Sequence, residues 1–305
     1  MVIDRLNIYV LGQDLDIATR KPQHFYGQVS RAFQGVGFRV SFLESTAQNL
    51  RASYRSDSYC IFHRHPPHHP HALEARPAAF GPYWALDSTA EIAQKTAYRA
   101  KFNPNSIQIG AARDLFDRMC EKQGVVEGPC VPNAGFVLVA LQGVLSRRRS
   151  WQSMAPIQMI EQVIAHEKRR DIKIKLHPNE TYSPAEMAAI EALCDGARVS
   201  VTQADLDGLL RGCAYTVSMN SSVSFKGLLH RKPGILFGDA EFHHVFHSTR
   251  IAEIGACFEQ VLTHEVEFEK YLFWYLRRQH VRNFKAHAQS DIINRCRALG
   301  WKIGG

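Results

Sequence analysis

Residues 218–238 read SMNSSVSFKGLLHRKPGILFG, and the reading of this stretch decides the fold. An apolar strand, AYTVSM (214–219), runs into Asn220-Ser221-Ser222. An apolar helix follows over SSVSFKGLLHR (221–231), a basic turn with Pro233 closes it, and GILFG (234–238) is a second short apolar strand. A buried strand, a helix and a second buried strand make a parallel βαβ unit. In an open parallel sheet, ligands bind beyond the carboxyl ends of the strands, where helix N-termini offer free backbone N–H groups to phosphate. Asn220, Ser221 and Ser222 sit at that junction, with hydroxyls and amides able to hold a phosphate oxygen. On this stretch alone an N-cap worth about 1 kcal/mol explains the serines equally well.

The same alternation extends upstream. GFVLVALQ (135–142) reads as a buried strand, APIQMIEQVIAHEKRR (155–170) as an amphipathic helix and IKIKLHP (172–178) as a strand. SPAEMAAIEALC (183–194) reads as a helix with a serine cap and proline at its first position, ARVSVTQ (197–203) as a strand and DLDGLLRGC (205–213) as a short helix. This is a Rossmann-like half. It sets His177 just past a strand, with Pro178 stopping that strand, so the imidazole is available to hydrogen-bond or protonate a phosphate. A structural histidine is the competing reading. Gln142 ends the first strand of this half and can reach a bound group, while the arginines at 147–149 read as a solvated basic run.

The N-terminal half begins with a strand at 6–11, a polar loop GQDLDIATRKPQ (12–23), a helix from about 24 to 34 and a strand FRVSFLE (38–44). SYCIFHR (58–64) is a further strand, leading into a loop-rich stretch at 65–92 dense in histidine and proline. Glycines and prolines cluster at 122–135, so the expected division is 1–130, 131–270 and an aromatic-rich helical tail at 271–305. The fold class expected is α/β, with two Rossmann-like domains.

At 305 residues, 45% hydrophobic and 22% charged, the chain can bury a full core. FVLVALQGVL is about half the roughly 20 apolar residues that a membrane-spanning helix needs. The start, MVIDRLNIYVLGQ, reads as a first strand and not as a signal peptide. These features point to the cytoplasm. The seven cysteines (60, 120, 130, 194, 213, 257 and 296) form no C-x-x-C pair and read as reduced, packed thiols. A net charge of +8 favours anionic partners. There is no P-loop, no dinucleotide G-x-G-x-x-G and no nucleophile elbow, and nothing but charge suggests nucleic acid. His63, His65, His68, His69 and His71 invite a metal reading, but their spacing matches no ligand pattern and prolines interrupt them.

The residues KLHP…SMNSSVSFKGLLHRKPGILFG, followed by FWYLRRQH, resemble the capsule polysaccharide biosynthesis family of bacterial glycosyltransferases, which includes retaining β-Kdo transferases that use CMP-Kdo. The resemblance is best over 136–282. It implies a GT-B architecture, with two Rossmann-like domains facing across a cleft, the nucleotide on the C-terminal one and C-terminal helices packing back to bridge them. It implies transfer of Kdo or a related acidic sugar from a CMP donor to a glycan or glycolipid. No metal or other cofactor is required where helix dipole, His and Lys stabilise the departing phosphate. His177, Ser221 and Ser222 carry over; Gln142, Pro178, Asn220 and Lys226 complete the expected nucleotide contacts. One departure stands out: members often read Ser-Val-x-Phe-Glu, and here Lys226 replaces the acid. The resemblance also implies a catalytic carboxylate in the N-terminal half. Asp87 of FGPYWALDST fills that place, with a helix-cap role as its alternative, and Asp14 and Asp16 are rivals. Other readings are a GT-B enzyme using another nucleotide sugar, a nucleotide-sugar epimerase, a silent assembly subunit of a capsule-export complex, and a protein whose YLFWYLRRQH segment lies on a glycan or the inner-membrane surface.

Overall fold

The structure is a computed structural model describing residues 3–21, 23–125, 135–284 and 287–304. Most of the expected linker at 122–135, together with Cys130, lies outside the described residues. Contacts divide the chain into two compact units, residues 1–100 with 274–305, and residues 101–273. The aromatic tail is thus split, and its last part returns to the first unit.

The second unit carries the parallel sheet that the opening stretch predicts. Its strands are β6 (Phe136–Ala140), β7 (Ile172–Lys175), β8 (Val199–Val201), β9 (Cys213–Ser218), β10 (Gly234–Leu236) and β11 (His247–Ser248), in the order β11-β10-β9-β6-β7-β8. Every pairing is parallel. Numbered from β6, this is the 3-2-1-4-5-6 order of the doubly wound fold, and the order reverses between β6 and β9. Both sheet faces are covered. Val137, Val139, Ile172, Ile174 and Val217 join the core against the helix Pro156–His166, whereas Leu138 packs on the other face with Leu209 and Leu210. Burial on both faces is why these strands read as continuous apolar runs without alternation. The helix Pro184–Leu193 has the expected cap: Ser183 Oγ accepts from Glu186 N (3.2 Å), and Glu186 Oε2 accepts from Ser183 N (3.0 Å).

The first unit holds β1 (Arg5–Val10), β2 (Arg39–Glu44), β3 (Tyr59–His63), β4 (Ala72–Pro77), β5 (Tyr83–Asp87) and β12 (Val281–Arg282), in the order β12-β5-β4-β3-β1-β2. β1 to β4 are parallel; β5 runs antiparallel to both β4 and β12. Chain order reverses between β1 and β3. Two expectations are corrected here. The stretch 12–23, expected to be a loop, contains the helix Gly12–Arg20, which turns Leu15 and Ala18 to the core and pairs Asp16 with Arg20 at 3.0 Å. The stretch at 65–92 contains the antiparallel pair β4 and β5, both largely buried. Its prolines and histidines hide strands that carry no period of two.

In the C-terminal helix Phe268–Arg278, Tyr271, Leu272, Trp274, Tyr275 and Leu276 are buried, so this segment is core and not a bilayer-facing stripe. Among the described residues no helix is long and apolar enough to cross a membrane.

Candidate functional site

In the second unit, β6 and β9 diverge at their carboxyl ends into a switch-point crevice, the place where open α/β sheets take ligands. Gln142 leaves β6 into it. Its Oε1 is buried and has no hydrogen-bond partner, an expensive state for an amide oxygen that is relieved when a donor arrives. Gly143 follows, and the Glu180 carboxylate occupies the space a side chain there would take. Val144 then adopts φ +63°, a left-handed conformation costly for a β-branched residue. The turn is held from two sides, since Arg149 Nη2 donates to Gly143 O (3.1 Å) and Leu145 N donates to Glu186 Oε1 (2.6 Å). Backbone N–H donors at Ser183 and Leu145 hold the Glu186 carboxyl below the usual range.

His177 stands past the end of β7. Its backbone N–H donates to Tyr182 Oη (2.9 Å), and its Nδ1 accepts from Asn179 N (3.2 Å). An Nδ1 that accepts leaves the neutral ring's proton on Nε2, so His177 offers an N–H donor. Pro178 is exposed in the same turn. β6 lies between β7 and β9, which separates the exit strands of His177 and of the serines by two strand spacings, about 10 Å. The sequence reading had set them on adjacent strands; Gln142 occupies the strand between.

At the exit of β9 the Asn-Ser-Ser triplet divides its work. Asn220 Nδ2 donates to Asp239 O (3.1 Å), tying this exit to the segment after β10. Ser221 is buried; its Oγ caps Val223 N (3.2 Å) and its N–H donates to Ser218 Oγ (3.2 Å). Ser222 is exposed and opens the helix Ser222–Gly227 with no hydrogen bond on its hydroxyl. Lys226, half-buried on that helix, has no ion-pair partner among the described residues. Within the basic run, Arg148 Nε donates to Gln152 O (2.9 Å) and the Arg149 guanidinium lies 5.7 Å from the Trp151 ring, so only Arg147 is left to solvent.

In the first unit, Asp87 is the last residue of β5 and is 2% exposed. It does not stand in an open loop. Its Oδ2 accepts from Arg76 Nη2 (3.1 Å), and its Oδ1 accepts from Thr96 N (2.9 Å), the first residue of the short helix Thr96–Arg99. Lys95 pairs with Glu74 at 2.8 Å beside it. The cap role exists, but at Thr96 and not at the segment after Ser88. Asp16 is exposed and held by Arg20.

Asp14 lies at the β1/β3 switch point, with its side chain 36% exposed. His63, the last residue of β3, brings Nε2 to 4.0 Å from Asp14 Oδ2 and Nδ1 to 2.7 Å from Tyr26 Oη. Burial holds the Tyr26 phenol well above its ordinary value, so it remains protonated and donates to Nδ1. That leaves the His63 proton on Nε2, toward Asp14. Burial also lowers the His63 pKa, as it does for His24, whose ring lies 5.9 Å from Trp84. Tyr26 and His24 were missed by the sequence reading; each sits in an ordinary amphipathic helix start and carries no local signal. The rest of the histidine run packs: His68 stacks on Tyr54 (4.1 Å) and Phe62 (4.7 Å) and bonds Ser53 Oγ at 2.8 Å. Among the described residues no three His, Cys, Asp or Glu side chains group as metal ligands.

No family model and no curated protein matches the chain. Solved structures do. That of the β-Kdo 2,7 transferase KpsC of Thermosulfurimonas dismutans superposes with a TM-score of 0.51 at 12% identity, covering 96% of this chain and 99% of that one. The β-Kdo 2,4 transferase of the same organism's KpsC gives 0.45 at 13% identity over 87% and 88%. UDP-GlcNAc 2-epimerase of Neisseria meningitidis gives 0.37 at 12% over 96% and 99%. At such identities the likeness concerns architecture. With its two Rossmann-like α/β units, the chain has the fold of GT-B glycosyltransferases, and over nearly its whole length it is similar to a β-Kdo transferase structure.

Proposed function

We propose that the chain is a glycosyltransferase of capsular or surface polysaccharide biosynthesis, transferring Kdo or a related acidic sugar from a CMP-activated donor to a glycan or glycolipid acceptor. The observation that carries this reading is the set of unspent donors at the carboxyl edge of the 3-2-1-4-5-6 sheet: the His177 Nε2–H, the Ser222 hydroxyl and, one turn on, the Lys226 ammonium. All three suit an anionic leaving group, and Gln142 Oε1 awaits a donor beside them. The sequence resemblance supplies the CMP donor. His177 and Lys226 stabilise the phosphate as the glycosidic C–O bond breaks, and the reading asks for no metal there.

The carboxylate that acts at the anomeric carbon is assigned to Asp14. Asp87 is committed to Arg76 and Thr96, whereas Asp14 is partly open and has an N–H donor aimed at it. It serves either as nucleophile in a double displacement or as base toward the acceptor hydroxyl, and the anomeric configuration of the product separates the two.

The test is calorimetric titration of the full chain with CMP, UMP, UDP and GDP in EDTA. CMP preference, weakened about tenfold or more in His177→Ala, is the expected result, because a hydrogen bond to a charged group is worth about 1.5–3 kcal/mol. Preference for another nucleotide changes the donor. Absence of any binding supports the silent assembly subunit, the reading that Lys226 in place of an acid favours.

A further inference from the structure

Glu180 is a carboxylate at an edge otherwise equipped for anions. It follows the turn after β7, the second strand of the sheet in 3-2-1-4-5-6 numbering. Its backbone N–H donates to His177 O (3.2 Å), so the turn carrying both residues is closed by a hydrogen bond. Its carboxylate lies over Gly143, in space that any side chain at 143 would fill. Yet that carboxylate makes no hydrogen bond or ion pair among the described residues. Next to Gly143 in the chain is Gln142, whose Oε1 is buried without a donor.

Two acceptors with nothing to accept, one on each of two adjacent strand exits, call for a ligand with paired donors. The anionic end of a nucleotide does not meet that demand, and a carboxylate repels it. The hydroxyls of a ribose do meet it, since a cis-diol presents two O–H donors at the spacing of a carboxylate or of a carboxylate with a neighbouring amide oxygen. Sheets of this strand order that bind dinucleotides use an acid beyond the second strand for the ribose hydroxyl, so the position is mechanically suited. We propose that Glu180 and Gln142 form a ribose subsite, accepting from the vicinal hydroxyls of the nucleotide. This rests on the nucleotide-sugar reading above. Hydroxyls and 5′-phosphate stand one furanose ring apart, so a single turn meets one with Glu180 and the other with His177. Gly143 is then required to be glycine because only hydrogen leaves the carboxylate its place.

The experiment titrates the full chain, in EDTA, with CMP and 2′,3′-dideoxy-CMP, and with the corresponding UMP and GMP pairs so that base preference does not decide the outcome. Glu180→Gln and Gly143→Ala are measured beside the unaltered chain; position 180 is exposed, so the first variant carries little folding risk. The unaltered chain binds the ribonucleotide about 10-fold or more tighter than its dideoxy counterpart, as loss of a hydrogen bond to a charged group requires. Both variants bring that ratio below about 3-fold, chiefly by weakening the ribonucleotide. An unchanged ratio in Glu180→Gln overturns the subsite and leaves the donor reading standing. No nucleotide binding by the unaltered chain overturns both. Binding of magnesium chloride alone, lost in Glu180→Gln, assigns the acceptors to a cation and also overturns the subsite.

Discussion

Replacing Asp87 by alanine separates a structural carboxylate from a chemical one. The side chain is 3% exposed and accepts from Arg76 Nη2 at 3.1 Å and from Thr96 N at 2.9 Å. Removing one member of a buried ion pair costs about 3–5 kcal/mol, because the partner charge is left uncompensated. Here Glu74 Oε2, 3.7 Å from Arg76 Nε, remains as a partial counter-ion and pulls the cost to the lower end. The lost cap at Thr96 adds about 1 kcal/mol, so about 4 kcal/mol is expected in all. In urea, followed by tryptophan fluorescence (Trp84 lies in the same strand), the transition reporting the first unit shifts by that amount divided by its m-value. Asp14→Asn is the control: partly open, with no ion-pair partner nearer than His63 at 4.0 Å, it shifts stability by under about 1 kcal/mol and abolishes sugar transfer. An Asp87→Ala chain of undiminished stability that no longer transfers sugar would refute this reasoning and return the catalytic role to Asp87.

Three further outcomes follow from the geometry. Burial pushes the His280 imidazole down to about 4 from 6.5, so the folded chain binds fewer protons than the unfolded one between those values; its contribution, about 3 kcal/mol, is present above pH 6.5 and fades as pH falls toward 4. An NMR titration of His280 with a midpoint near 6.5 contradicts this. Ser221→Ala costs about 1 kcal/mol of stability through the lost cap at Val223, whereas Ser222→Ala leaves stability within about 0.5 kcal/mol and weakens nucleotide binding in calorimetry; equal effects on both measures would deny the division of labour. Tyr26→Phe removes the donor 2.7 Å from His63 Nδ1, costing about 1–2 kcal/mol, and its ¹⁵N spectrum loses the Nε2–H tautomer of His63; an unchanged tautomer means Tyr26 does not set it.

Much of the second unit was legible in its residues. Each strand read between 135 and 238 is present, and the helix at 183 opens with Ser183, Pro184 and Glu186 as its capping chemistry demands. The first unit was less legible. The helix Gly12–Arg20 turns only Leu15 and Ala18 inward, too few for a visible period, and β4 and β5 are buried on both faces and so lack alternation. At the site, His177 and Ser222 are found at strand and helix ends as their neighbours Pro178 and Ser221 suggest. Glu180 was present in the quoted KIKLHPNE without any mark of its relation to Gly143, which lies 37 positions earlier.

Local chemistry therefore determined the class of this protein: apolar runs punctuated by caps, glycines and prolines dictate strands and helices through neighbours a few residues apart. Tertiary structure alone decided the rest. β6 pairs with β9 across more than seventy residues, and this crossover, not sequence order, sets Gln142 between His177 and the serines. Likewise Asp87 is removed from the open carboxylates by Arg76 and Thr96, while Asp14 meets His63 from a strand nearly fifty residues away. Burial and charge pairing are properties of what is packed alongside, and a linear chain does not state its neighbours.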